Sequence, residues 1–436
     1  MSELDVLTKQ ERIAENARRM SDISFTALAH HIDEAWLYKA YCQTRKDGAI
    51  GIDRVSAQDY KMNLSSNLKD LLNRAKSGQY RAPAVKRVYI QKNNGKDKRP
   101  LGIPTFEDKI LQRAVKMVIE PVFEEDFRDC SHGFRPNRSQ HTALEVLRSK
   151  LIEIKGGWLI DVDISKFFDT IDHTLMRDIF RKRVCDGVIT RLLGKWLKAG
   201  ICEEGQIHYN TEGTPQGGVI SPLLSNIYLH EVIDVWFEDT AMPRLKGKAF
   251  MVRFADDVVM GFQDKEDAMR VLRALPRRLE KYNLKLHPEK TRLVKFNKPD
   301  KNDTNKPETF NFLGFTHYWG KSRKGYFVVK KKTAKDRFAR AVHAINIWLK
   351  ENRHMDIAEQ HVKLCSKLRG HYNYYGVIGN YDKLNSFKFL VRRLWKKSLS
   401  RRSQKSYINY EKFELILARY ALIEPRIMYA SHTAKL

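Results

Sequence analysis

The chain has 436 residues, 42% of them hydrophobic and 30% charged, enough apolar mass for several buried cores and too much for a disordered chain. Its 80 Lys and Arg against 52 Asp and Glu leave a net charge of +28 at pH 7, an excess that points to a polyanionic partner, either nucleic acid or an anionic membrane surface. No apolar run reaches the ~18 residues of a membrane helix, MSELDVLTKQERIAEN lacks the apolar stretch of a signal peptide, and the five isolated cysteines, with no CxxC pair, support neither a disulfide framework nor a zinc finger, so a cytoplasmic protein without a membrane partner is expected.

Residues 1–75 place apolar side chains at helical spacing. VKRVYIQK alternates as a strand does, and with KRPLGIP it predicts a hairpin around NNGKD. EDKILQRAVKMVIEPVFEEDF reads as an amphipathic helix interrupted at Pro121, and HGFRPNRS as a loop. WLIDVDI is a buried strand by composition, and DTIDHTLMRDIF continues into a helix. GTPQGGVISPLLSNIYLHEVIDVWF opens on a Gly-rich loop and becomes helical. AFMVRFADDVVMGF is two short apolar runs around a tight polar centre. EDAMRVLRALPRRLEKYNL is a helix that carries Pro276, and 295–308 is linker-like. FNFLGFTHYW and GYFVVK are strands, and from about residue 333 the pattern is helical and basic. Residues 321–436 hold 27 Lys and Arg against 8 Asp and Glu, a net of +19, so a nearly balanced front carries a strongly basic rear.

Two acidic sites stand out in this basic chain: Asp161 and Asp163 in LIDVDI, and Asp256-Asp257 between two apolar runs. Unpaired carboxylates in apolar strands are costly, and adjacent like charges more so, unless a cation lies between them. Hard divalent ions such as Mg²⁺ take one or two carboxylates together with phosphate oxygens, and two such ions stabilise the attacking and leaving oxygens of phosphoryl transfer. A polar hairpin turn is the plain alternative for Asp256-Asp257.

FADD between apolar strands, VDISKFFDTIDH and GTPQGGVISPLLSNIYL resemble the core motifs of reverse transcriptases, in detail those of bacterial group II intron reverse transcriptase/maturases. AYCQTRKDGAIGID is similar to that family's N-terminal extension, RVYIQKNNGKDKRPLGIPTFEDKILQ and SHGFRPNRSQHTAL to its fingers motifs, FLGF to its primer grip, and LRGHYNYYG and RRLWKKSLSRRSQK to its thumb region. The resemblance implies an α+β right-hand polymerase: an N-terminal extension (1–75), fingers and palm with an antiparallel sheet (76–325), a helical thumb or maturase domain (326–400) and a short basic C-terminal segment (401–436). It implies RNA-directed DNA synthesis by two-metal nucleotidyl transfer, with two Mg²⁺ (or Mn²⁺) ions, dNTP substrates, an RNA template, a DNA or RNA primer, and an intron RNA bound for splicing.

Residue by residue, Asp163, Asp256 and Asp257 match the metal-binding triad, with Asp161 a supporting charge. Phe168 matches the gate that excludes a 2′-hydroxyl, an ordinary core aromatic being the alternative. Gln216 and Gly217 match the loop that approaches the incoming nucleotide. Lys98 and Arg99 match the basic pair that holds the triphosphate, a charged turn being the alternative. Lys290 matches a lysine that protonates the leaving pyrophosphate, a solvated surface lysine being the alternative. Arg135 and Arg138 are expected on template phosphates, and Arg392, Arg393, Lys396 and Lys397 on RNA; Trp395, Tyr372 and Tyr374 are candidate stacking aromatics, with packing in the thumb core the favoured role for most of them. The chain departs from the family in Phe254, where Tyr is usual, in GIDR at 51–54 and in His132. The cysteine-pair, His-rich endonuclease of many relatives does not follow residue 400, so neither an endonuclease nor a zinc site is expected. Two other readings stay open: a free-standing relative used in DNA repair or phage defence, and a splicing cofactor that binds RNA without polymerising.

Overall fold

The computed structural model describes residues 3–91, 98–209, 213, 217–300, 307–403 and 407–429. The chain forms two compact units, one of residues 1–143 and 159–293, the other of residues 144–158 and 294–436.

The first unit opens with helices α1 (Glu3–Arg19), α2 (Glu34–Gln43), α3 (Ala57–Met62) and α4 (Leu64–Ser77). Asp33 caps α2 by accepting from Trp36 N, and Ser56 with Asp59 forms a capping box on α3, which satisfies N–H groups that a helix start leaves orphaned. Strands β1 (Val85–Gln91) and β2 (Lys98–Ile103) pair antiparallel with Gln91 opposite Lys98, the expected hairpin; its turn lies outside the described residues. Helix α5 (Phe106–Asp126), capped by Thr105, buries Ile110, Leu111, Ala114, Val118 and Val122, and α1 and α2 pack on it. Pro121 does not interrupt this helix, contrary to expectation. Proline removes the N–H that would bond the Met117 carbonyl, and Gln10 Nε2 from α1 donates to that carbonyl at 2.8 Å instead.

Helix α6 (Gln140–Glu153), most of which belongs to the second unit, strand β3 (Trp158–Val162), helices α7 (His173–Arg181) and α8 (Gly187–Leu197), strands β4 (Ile201–Glu203) and β5 (Gln206–His208) and helix α9 (Ser221–Leu229) follow in the chain. A π-helix, His230–Ala241, continues α9; then come β6 (Ala249–Phe254), β7 (Asp257–Phe262), α10 (Lys265–Glu280) and β8 (Arg292–Lys295). These strands make two sheets, β2–β1–β4–β5 and β6–β7–β3–β8. The hairpins are antiparallel, while β1 runs parallel to β4, with Val85 opposite Ile201. Mixed helices and largely antiparallel hairpins make the chain α+β. The carboxylate of Asp108, buried in α5, accepts from Tyr80 Oη at 2.6 Å, Trp196 Nε1 at 2.7 Å and Gln112 Nε2 at 2.9 Å, tying α5 to α8. Burial still pushes its pKa up to about 6 against those three donors.

In the second unit β9 (Phe310–Phe312), β10 (Phe315–Lys321) and β11 (Phe327–Thr333) form an antiparallel sheet in the order β11–β10–β9. Helices α11 (Lys335–Glu351), α12 (Ile357–Tyr375), α13 (Tyr381–Leu399) and α14 (Tyr410–Arg419) follow. Leu364, Leu368, Leu384, Phe387, Val391 and Trp395 share one core. Trp395 is fully buried and donates to Gln360 Oε1 at 2.9 Å, and Tyr372 is buried in the same core, so these two aromatics are core rather than stacking platforms. Tyr374 is half-buried, with its hydroxyl donating to the Leu313 carbonyl at 2.9 Å.

Candidate active site

The antiparallel register of β6 and β7 pairs Phe254 with Asp257 and leaves Ala255 and Asp256 as a two-residue turn. Ala255 has φ +56°, a left-handed conformation that suits the twist of a tight hairpin but costs a non-glycine residue roughly 1 kcal/mol or more. The residue that holds this turn is Arg253, fully buried in β6. Its Nε donates to Asp234 Oδ1 at 2.7 Å, and Nη2 to Asp234 Oδ2 at 2.5 Å and Ser131 Oγ at 2.7 Å. Its Nη1 donates to Asn226 Oδ1 at 3.0 Å and to the Ala255 carbonyl at 3.1 Å. All five guanidinium N–H groups are thereby used, one of them on the strained residue itself. Asp234 is equally buried; burial works to raise its pKa, and the Arg253 charge holds it below the usual carboxylate range.

The loop before α6 backs the same turn. Arg253 N donates to the Cys130 carbonyl at 2.7 Å and His132 N to the Arg253 carbonyl at 2.8 Å. A Cβ on Gly133 would lie 2.3 Å from Ala255 N, so only glycine lets the loop come this close. Burial, with Arg138 and Arg135 adding to it, pushes the His132 imidazole down to about 4, so it is neutral at pH 7.

Asp163 directly follows β3, the neighbour of β7 in the sheet. Its carbonyl accepts from His287 N at 2.8 Å, and its Oδ2 lies 3.4 Å from Lys290 Nζ. Asp161 Oδ2 lies 3.4 Å from Arg292 Nε; burial raises the Asp161 carboxyl, with Arg292 opposing it. Asp163 and Asp256 are half-buried and Asp257 is exposed. Among the described residues no three carboxylate, imidazole or thiol groups converge tightly enough to cage an ion by themselves. The oxygen-only donors at the ends of neighbouring strands fit a hard ion that takes one or two carboxylates and draws its other oxygens from water and phosphate.

Phe167 and Phe168 divide the two roles open to an aromatic here. Phe167 is buried and Phe168 half-exposed on the short turn after Asp163, their rings edge to face at 5.2 Å. Lys98 and Arg99 open β2 with exposed side chains. Gly217, at φ +116°, presses on the same strand: an added Cβ would lie 2.3 Å from the Gly102 carbonyl. Gln216 lies outside the described residues.

Arg135 is a correction. It is buried, forks onto Glu124 at 2.6 and 2.9 Å and donates to the Arg128 and Ser131 carbonyls at 2.7 and 2.9 Å. A guanidinium spent on scaffold contacts cannot meet template phosphates. Arg138 pairs with the exposed Asp129 at 2.8 Å and keeps part of its surface open. On α13, Arg392 pairs with Glu414, and Lys396 Nζ sits 4.2 Å over the Tyr410 ring. Arg393 and Lys397 of the same cluster are exposed.

Residues 90–317, which carry Asp161, Asp163, Asp256 and Asp257, match the family described as reverse transcriptase (RNA-dependent DNA polymerase). Over 225 residues the chain is 39% identical to the group II intron-encoded protein LtrA of Lactococcus lactis subsp. cremoris, a stretch covering 51% of this chain and 37% of that protein. It is 36% identical over 305 residues to protein YkfC of Escherichia coli K12, covering 63% of this chain and 77% of that one, and 33% identical over 95 residues to nuclear intron maturase 1 of Arabidopsis thaliana, covering 22% and 13%. The chain belongs to the group II intron reverse transcriptase/maturase family. It spans little more than a third of the lactococcal relative's length. Within this group II intron family member, Arg253, Asp234, Asn226 and Ser131 form the buried network behind the turn of the candidate site, and sequence reasoning passed them over. The available signal was a charged residue inside each of two apolar runs, MVRF and VIDVWF.

Proposed function

We propose that the chain is an RNA-directed DNA polymerase that also binds an intron RNA as a splicing maturase. The observation that carries the reading is the strained Ala255–Asp256 turn, held by a fully satisfied buried arginine beside the strand that delivers Asp163. Left-handed backbone at a residue other than glycine costs free energy and clusters at functional sites, and here it falls on the residue before Asp256. In this reading residues 1–75 are the N-terminal extension, 76–325 the fingers and palm, 326–400 the thumb and 401–436 a basic tail. Asp163, Asp256 and Asp257 would hold two Mg²⁺ ions, which supply stabilisation of charge on the attacking and leaving oxygens. Lys98 and Arg99 bind the triphosphate of the dNTP, with Gly217 and Gln216 shaping the adjoining loop. Lys290, whose Nζ lies 3.4 Å from Asp163 Oδ2, gives a proton to the leaving pyrophosphate in this reading. RNA template and a DNA or RNA primer complete the site.

Primer extension on an RNA template with dNTPs tests the reading; absence of RNA-templated product from the wild-type chain would overturn it. Phe168→Ala is expected to raise ribonucleotide incorporation relative to dNTP clearly, by removing the ring that meets a 2′-hydroxyl. An unchanged ratio would return Phe168 to a packing role.

The basic rear supplies RNA affinity in this proposal, chiefly through phosphates. Arg393 and Lys397 are exposed, the Arg393 guanidinium lying 5.8 Å from the exposed Phe389 ring, while Arg392 is paired with Glu414 and Lys396 lies over Tyr410, so Arg393→Gln with Lys397→Gln should flatten the log–log salt dependence of RNA binding by about 1.4, roughly 0.7 per single-strand contact. Binding that weakens at constant slope would mean that these residues act through folding.

A further inference from the structure

The first unit contains a cavity of about 590 Å³ lined by α7, α8, the β4–β5 hairpin and the segment before β1. Its volume falls in the range of small-ligand sites, roughly 300–1,000 Å³. None of the catalytic-site carboxylates or their strands contributes to its wall. Arg81, Arg177, Arg181, Arg191, Lys195 and Lys198 stand around it, and among the described residues no carboxylate does. Lys195 donates to the Gly78 and Tyr80 carbonyls, and Arg191 reaches the Lys76 carbonyl at 3.5 Å. Among the described residues the other four cations form no ion pair, and Arg177 Nε is buried without a hydrogen-bond partner. A buried donor left unsatisfied is costly, as is a ring of like charge. Both costs are offset when an anion enters.

The floor is apolar: Phe180 and Leu193 are buried beneath the cations, and Tyr209 is exposed at the mouth. Gly194 lies inside α8 and lines the cavity, and an added Cβ there would meet nothing within 4 Å. Glycine is the poorest helix former apart from proline, so at this position helix stability is given up with no backbone contact requiring it, and the hollow stays open.

We propose that this cavity receives one unstacked nucleotide of a bound single-stranded RNA, its base against the apolar floor and Tyr209, and its flanking phosphates on Arg177, Arg181 and Lys198. The cations surround the hollow from three separate elements. A strand, with phosphates on both sides of a base, uses that arrangement; a free nucleotide, with its phosphates on one side, does not. RNA as the ligand rests on the polymerase reading above.

The test uses the full chain and a fluorescent single-stranded oligoribonucleotide, with no primer and no dNTP. Gly194→Tyr fills the hollow from a helix position that accepts a side chain, and it should weaken RNA binding about tenfold, the scale of one base–aromatic stack, with the salt slope unchanged. Arg177→Gln with Arg181→Gln and Lys198→Gln should flatten the salt slope by about 2, at roughly 0.7 per contact. Thermal melting of each variant checks its fold, and if one variant fails to fold the other decides. RNA binding like wild type in the folded variants overturns the proposal. So does a Gly194→Tyr variant that loses a fluorescent ATP analogue yet keeps RNA, since the site then takes a free nucleotide. Primer extension on a short template is measured separately. If the wild type extends primers and the cavity variants bind RNA normally, only the cavity proposal falls; if the wild type does not extend primers, the polymerase reading falls while the binding result still stands.

Discussion

Asp256→Asn, and separately Asp163→Asn, should lower primer extension on an RNA template in Mg²⁺ by on the order of a thousandfold, while RNA affinity and melting temperature stay close to wild type. Asparagine keeps the shape of aspartate and removes its charge. A thousandfold corresponds to about 4 kcal/mol of transition-state stabilisation, within what a charged ligand to a catalytic ion supplies. The stability half of the prediction follows from exposure. Asp163 and Asp256 are only half-buried, and among the described residues the Asp163 carboxylate pairs only with a solvent-exposed lysine at 3.4 Å, a pair worth little to folding. Loss of charge at either position therefore leaves no buried orphan. Extension within tenfold of wild type in either variant would reject the triad. A large fall in melting temperature would show that the carboxylate is structural.

Where a signal was local, it was legible in the sequence. Period-two alternation located β1 and β2, and two apolar runs around FADD located the β6–β7 hairpin and its turn. What escaped depended on partners distant in the chain. Pro121 reads as a helix break, and only the fold shows that Gln10 satisfies the carbonyl it orphans. Arg135 sits in a basic loop and reads as a phosphate contact, until α5 turns Glu124 towards it. GVITRLLGKWL is too short between polar flanks to be singled out as α8, and the three-residue β4 gains its strand character from β1, far earlier in the chain. The strained turn shows the same division. FADD advertises the carboxylates, but nothing local indicates that Arg253 inside one apolar run will meet Asp234 inside another.

That pair carries the largest expected effect on stability. Asp234→Asn removes the charge opposite a guanidinium that is fully buried, and breaking a buried pair from one side typically costs about 3–5 kcal/mol because the other charge is left uncompensated. A fall in melting temperature of roughly 10 °C is expected for a body of this size. Activity should fall with it even at temperatures where the variant is folded, because the same guanidinium holds the Ala255 carbonyl and so the turn that aims Asp256. Stability and positioning can be separated. In the double variant Asp234→Leu with Arg253→Met, apolar side chains of similar volume replace both charges, a change that is often neutral or stabilising. It should recover much of the lost melting temperature. The Ala255 carbonyl then has no guanidinium donor, and neither Asn226 nor Ser131 is tied to β6 through Arg253. Extension should therefore stay well below wild type, with the deficit in kcat rather than in RNA affinity. A double variant that regains both melting temperature and kcat would make the pair a packing element alone. One that regains only stability would establish Arg253 as the residue that keeps the catalytic turn in its strained conformation.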